Sequence, residues 1–252
     1  MIAASYQLYS SRAFPPLASC LTLLKRLGYT QVEGYPDLLS DVPALKRVLT
    51  EAGLSMPSSH VSLHALETSL DDVVTSAQAI GITHLYAPYL EPADRPASTD
   101  EWRQFGQRLE RIAQDLAARG LAFGWHNHDF EFASLADGSF PMAIVLESAP
   151  TVRWQADLAW VARAGENPAA WLRRYGDRVA SVHVKDIAPD GQCLDEDGWA
   201  DVGHGVMDWR SLLAISRRFA VGHFVVEHDN PSDHARFAQR SIDSIRAFDE
   251  GD

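Results

Sequence analysis

Short runs rich in β-branched and aromatic residues alternate along the whole chain with longer stretches whose apolar positions recur at helical spacing. The apolar runs cover residues 2–9, 31–35, 54–62, 84–90, 121–128, 152–160, 179–186 and 223–229. Helical patterns fill 15–27, 41–52, 66–80, 99–119, a short segment near 140–148, a segment opening at Asn167-Pro168, 208–219 and 232–248. The punctuation agrees. Gly28, Gly53, Gly81 and Gly120 stand where helices should stop, and Ser98 or Thr99 caps the longest one. Asn167 is an N-cap followed by proline at the first helical position. A Gly- and Asp-rich loop occupies 187–206. Eight β/α alternations in 252 residues predict an α/β fold, a single closed (β/α)8 TIM barrel spanning 1–252. A doubly wound open sheet fits less well, because no GxGxxG follows the first strand and no GxxxxGK[ST] occurs.

Composition narrows the function classes. Asp and Glu total 34 against 22 Lys and Arg, a net charge of −12. That field opposes a polyanion, so nucleic acid is not expected as a partner. No run of 18 apolar residues predicts a membrane span, and the N-terminus lacks a secretion-signal pattern. Two cysteines without a CxxC spacing point to a reducing cytoplasm rather than a disulfide framework. The absence of GxSxG argues against a Ser–His–Asp hydrolase.

A barrel of this kind carries its chemistry at the C-terminal strand ends. Those ends hold Tyr9, Glu33, His60, Tyr86 and Tyr89, then Trp125-His126-Asn127-His128, Asp157 and Trp160, His183 with Lys185, and Glu227 with Asp229. Alternation puts His126 and His128 on one face, and likewise His183 and Lys185, and Glu227 and Asp229. Polar groups converging from adjacent strands are costly to bury unless they are paired or bound to a cation. A mixed His/carboxylate set without cysteine suits Mn, Mg, Co, Fe or Zn.

The chain resembles the sugar phosphate isomerase/epimerase family of xylose-isomerase-like TIM barrels. LYSSR (8–12), GYTQVEGY (28–35), SSH (58–60), FGWHNHDFEF (123–132), ADLAWVARAGENP (156–168), HVKD (183–186), GHGVMDW (203–209) and VEHDNP (226–231) follow in that family's order. The resemblance implies one divalent metal ion held by Glu, Asp, His and Glu from strands 5 to 8. Three of these fall on Asp157, His183 and Glu227. The first glutamate falls on His126, a departure that removes one of the two glutamates that move protons in the family's isomerases and epimerases. His126 is the first choice for the fourth ligand, ahead of His128 and Glu131. His128, Glu227 and Lys185 are the expected catalytic residues, with His128 as a base facing substrate. Tyr9, Glu33, His60, Trp125 and Trp160 are the expected substrate contacts.

The implied activity is isomerisation or epimerisation of a sugar, keto-sugar or cyclitol by proton abstraction α to a carbonyl, through an enediolate. β-Elimination on a keto-sugar, keto-glycoside or inosose is the alternative. A metal-free sugar-binding barrel is a third reading of another class, and AP endonucleases, which share the barrel, are disfavoured by the charge. The expected partner is a small carbohydrate, in a protein free to form a homo-oligomer.

Overall fold

The computed structural model describes residues 4–249. Eight parallel strands close into a barrel: β1 (Ala4–Gln7), β2 (Gln31–Gly34), β3 (Ser55–His60), β4 (His84–Ala87), β5 (Ala122–His126), β6 (Arg153–Asp157), β7 (Val179–Val184) and β10 (Phe224–Val226). Strand β10 pairs with both β1 and β7, which completes the ring. Two further strands, β8 (Asp186–Ile187) and β9 (Trp199–Ala200), pair antiparallel within the long loop. Around the barrel lie α1 (Leu17–Leu27), α2 (Val42–Ala52), α3 (Leu63–Thr68), α4 (Leu70–Ile80), α5 (Thr99–Ala117), α6 (Pro141–Ser148), α7 (Leu158–Arg163), α8 (Pro168–Tyr175), α9 (Trp209–Arg218) and α10 (His234–Asp249).

Local chemistry explains these limits. Gly28, Gly53 and Gly81 adopt the left-handed conformation that ends α1, α2 and α4. Ser98 and Glu101 form a reciprocal capping box at the start of α5. The pattern over 66–80 is not one helix: it breaks at Ser69 into α3 and α4. The run over 152–160 is not one strand either. It ends at Asp157, whose Oδ1 accepts the Ala159 and Trp160 N–H groups at 3.0 and 3.1 Å and starts α7. Trp160 therefore lies on a helix rather than a strand end.

The main core lies between strands and helices. Outward residues such as Val32, Leu85, Phe123, Trp154, Val182 and Val226 are fully buried or nearly so. Helix α5 packs Trp102, Phe105, Leu109 and Leu116 toward them. The barrel interior differs from the branched apolar layers usual for this fold. Gln7, Glu33, Ser58, Gln155, Ser181 and His183 are all 0% exposed and meet across the barrel through hydrogen bonds. Interior polar groups persist only when paired, and here they pair with each other.

The loop after β7 is fastened at both ends. Asp186 accepts N–H groups from Ile187, Gly203 and Met207. Gly205 lies so close to that carboxylate that a Cβ would meet Asp186 Oδ1 and the Ile187 carbonyl at 2.2 Å. Farther out, Glu196 and Asp201 hold Arg236 of α10, and Asp201 also holds Arg240. Cys20 and Cys193 are free thiols. Among the described residues, no helix is long and apolar enough to cross a membrane.

Candidate metal centre and its cavity

His126 ends β5, Asp157 ends β6, His183 lies on β7 and Glu227 follows β10. One donor atom from each lies within 4.8 Å of the others, and all four residues are buried. His60, His126 and His183 form a second, overlapping triad of donors. Above them opens a cavity of about 470 Å³, lined among others by Tyr9, His60, Tyr89, His126, His128, Glu227 and Asp229. It adjoins a second cavity of about 560 Å³ across Pro36, Pro88, Tyr89 and Glu91.

Beneath the donors, Glu33 organises the histidines. Its Oε1 is 2.7 Å from His183 Nε2 and accepts from Gln7, and its Oε2 accepts from Ser58 and Gln155. Burial alone would raise this carboxyl, but His183, with His60 behind it, outweighs burial and holds it down to about 2. An ionised Glu33 can only accept, so the Gln155 atom at 2.8 Å must be the amide nitrogen. The Gln155 oxygen then faces His60 Nε2 at 2.7 Å and His126 Nδ1 at 3.1 Å, and both of those ring nitrogens must carry hydrogen. Burial keeps His60 and His126 below the usual histidine range, hence neutral. His126 is thereby left with its lone pair on Nε2, the atom a cation needs. Second-layer partners of this kind commonly set the tautomer of ligating histidines.

His183 sits between two carboxylates, Glu33 on Nε2 and Glu227 on Nδ1, both at 2.7 Å. Burial would lower it, yet Glu227 and Glu33 raise it to about 10. Burial also opposes ionisation of Glu227, where Lys185 and His183 win and hold it well below the usual range. Asp157 remains raised by burial despite Lys185. Its Oδ1 caps α7; its Oδ2 accepts no hydrogen bond among the described residues and lies 3.1 Å from Lys185 Nζ. A fully buried carboxylate oxygen that accepts no hydrogen bond among the described residues and has only the Lys185 charge beside it, grouped with three other donors, fits a divalent cation. The Asn127 side chain fixes this corner, accepting the Asp157 N–H and donating to its carbonyl, both at 3.0 Å.

The other expected site residues fall into separate groups. His128 lies beyond the end of β5, but its ring is 5.1 Å from that of His126 and lines the cavity. Its Nδ1 is buried without a partner among the described residues. Burial, aided by Lys185, presses it down to about 3. Tyr9 and His60 line the cavity as well. Lys185 is 1% exposed and directs its ammonium at Asp157, Glu227 and Asp229, at 3.1, 3.1 and 2.8 Å. It acts as counter-charge under the cavity rather than as a wall of it. Trp160 packs on His128 and Trp199.

Two expected substrate contacts are corrected. Trp125 is 0% exposed and packs edge-on against Phe105 of α5, with its indole N–H on Glu131. As the neighbour of His126 it faces away from the barrel interior. Glu33 is also 0% exposed, and its partners beneath the cavity occupy both oxygens. Glu131 is excluded as a fourth ligand because Trp125 Nε1 and the His128 N–H take its two oxygens. Gln155 was missed, and Asn127, although placed at the end of the fifth strand, was given no role. Gln155 lies two positions before Asp157 on the same face of β6, which is the signal that could have found it.

The family profile described as xylose isomerase-like TIM barrel matches residues 21–248. The rhizopine catabolism protein MocC of Rhizobium meliloti is 25% identical over 193 residues, 69% of this chain and 59% of that protein. An inosose dehydratase of Lacticaseibacillus casei is 24% identical over 173 residues, 60% of this chain and 57% of that enzyme. The chain thus spans a little over half the length of these curated relatives. Among solved structures, a sugar phosphate isomerase/epimerase from Parabacteroides distasonis ATCC 8503 superimposes with a TM-score of 0.80 at 17% identity, covering 98% of this chain and 94% of that one. The IolI protein with a bound zinc atom gives 0.78 at 14% identity, covering 98% of each chain.

Proposed function

The chain belongs to the xylose isomerase-like TIM barrel family, and on that premise we infer that it is a divalent-cation-dependent enzyme that isomerises or epimerises a sugar, keto-sugar or cyclitol. The observation that carries this reading is the convergence of His126, Asp157, His183 and Glu227, each with a donor atom within 4.8 Å of the rest, under an open cavity. These four would hold the cation. When bound, it supplies Lewis acidity, as a Mn, Mg, Co, Fe or Zn ion in such a donor set does.

The remaining work belongs to the chain's own side chains. His128, whose ring lines the cavity and which burial and Lys185 keep in the neutral form a base needs, takes the proton α to the substrate carbonyl. Glu227, which lines the same cavity, moves the proton at the neighbouring carbon. Lys185 balances the carboxylates Asp157, Glu227 and Asp229 and favours their ionised forms against the opposing effect of burial. His60, with Nε2 committed to Gln155, offers Nδ1 to a substrate hydroxyl. Tyr9 and Tyr89 present rings at the mouth, suited to the C–H face of a sugar.

Elimination of water is the second reading. It is favoured by the likeness to inosose dehydratase and by His126 standing where the family's isomerases use glutamate. Both readings begin with the same proton abstraction, so one experiment serves them. The cation-loaded chain is incubated in D₂O with ketoses, 3-keto-glycosides and inososes, and products are read by NMR. Deuterium α to the carbonyl is expected, and loss of a hydroxyl marks elimination. Turnover without any exchange would replace proton abstraction by direct hydrogen transfer.

A further inference from the structure

The charge distribution around the cavity carries information on substrate class. Four carboxylates line it: Glu227 and Asp229 near the donors, Asp37 and Glu91 at the mouth. Among the described lining residues there is no lysine or arginine. The nearest cations have fixed partners. Arg12 donates to the Tyr9 and Asp229 carbonyls at 3.0 and 2.6 Å while its guanidinium lies over the Tyr9 ring. Arg95 donates to the Leu90 carbonyl and the Tyr89 hydroxyl. Lys185 is buried against three carboxylates. In the adjoining cavity Arg108 is forked onto Glu67, beside Glu91 and Asp94.

A phosphate ester is recognised by forked guanidinium groups, ammonium groups or backbone N–H groups at a helix N-terminus. Among the described residues no such cationic side chain lines this cavity, and the carboxylates Asp37 and Glu91, which have no cation among the lining residues, repel a dianion at its mouth. The inner pair, Glu227 and Asp229, are good acceptors for sugar hydroxyls, and Tyr9 and Tyr89 supply apolar faces. Resting on the reading of this cavity as the substrate site, we propose that the enzyme takes uncharged polyhydroxy substrates and rejects their phosphate esters. Asp37 and Glu91, outside the catalytic set, are the gatekeepers at the mouth.

The test compares D-fructose with D-fructose 6-phosphate, using saturation-transfer NMR competition on the full chain. The phosphate ester is expected to bind at least about tenfold more weakly, equivalent to about 1.4 kcal/mol. Equal or tighter binding of the ester would overturn the proposal. A double variant, Asp37→Lys with Glu91→Lys, supplies the second arm. It should raise affinity for the ester by roughly tenfold and leave fructose within about twofold. No gain for the ester in that variant would also overturn it. Because both arms read binding, the charge rule is judged separately from the proton-abstraction reading, which stands or falls on deuterium exchange.

Discussion

The Gln155 amide nitrogen meets the Glu33 carboxylate at 2.8 Å in the centre of the barrel, although the two residues are 122 positions apart. That single contact dictates which way the amide points, and the amide in turn dictates which nitrogen of His126 stays unprotonated. Gln155→Leu removes this control without adding charge. Divalent-cation affinity, measured by calorimetry, should fall by about 10- to 100-fold. Nitrogen NMR of the metal-free protein should show His126 protonated on Nδ1 in the wild type and as a tautomer mixture in the variant. A wild-type spectrum with the proton on Nε2 would sink the assignment even if the variant failed to fold.

Asp157 divides its oxygens between two tasks, and two substitutions separate them. Asp157→Asn retains an oxygen for the Ala159 and Trp160 N–H groups, so thermal stability should change little while bound cation and turnover disappear. Asp157→Ala should lose the cation and also about 1 kcal/mol of stability with the helix cap. Elemental analysis and thermal melts read the two effects. Stoichiometric cation in either variant would remove Asp157 from the donor set.

His128→Asn tests the base. It should retain the cation at wild-type stoichiometry and lose about 10²- to 10⁴-fold in turnover, the range usual for a general base. If the cation is lost instead, His128 is a ligand and the proton acceptor must be sought elsewhere.

Glu131 makes stability depend on pH. Burial raises its carboxyl from the ordinary 4.5 to about 7, against the opposing hydrogen bonds from Trp125 and His128. The folded chain therefore keeps a proton that the unfolded chain has already released. Stability contributed here is present in acid and is lost as pH rises from about 4.5 to about 7, by up to about 3 kcal/mol. Denaturant unfolding of wild type and Glu131→Gln, at about pH 5 and about pH 8, isolates this group, because the glutamine cannot titrate. A stability difference between the two proteins that is the same at both pH values would show that Glu131 is ionised throughout.

Strand–helix alternation was readable because each barrel strand carries an apolar outer face, as Val182 and Val184 do on β7. The boundaries were less so. Strands run shorter than their apolar runs because capping side chains such as Asp157 start a helix while the sequence is still apolar. Asp157, His183 and Glu227 were singled out as candidate donors by the family resemblance, and strand order accounts for their convergence with His126, since each lies at or just beyond a strand end. Trp125 precedes His126 on β5, so alternation turns it outward, where its indole N–H meets Glu131. Glu33 and Gln155 had roles hidden from sequence: a polar residue near a strand end reads the same whether it meets solvent, substrate or another polar residue across the barrel. Only closure of the ring brings positions 33, 155 and 183 together.

Helix α7 begins on an oxygen of Asp157 and, one turn in, carries Trp160, whose ring lies 5.3 Å from His128 and 4.7 Å from Trp199. Any cation that draws on Asp157 pulls at the first turn of that helix and so at an indole. Indole emission responds to small changes in its neighbours, so the protein carries its own optical probe of occupancy. Titrating the metal-free chain with a divalent ion should change its tryptophan fluorescence, and Trp160→Phe should silence most of that signal while leaving the donors in place. The site can then be followed before any substrate is in hand.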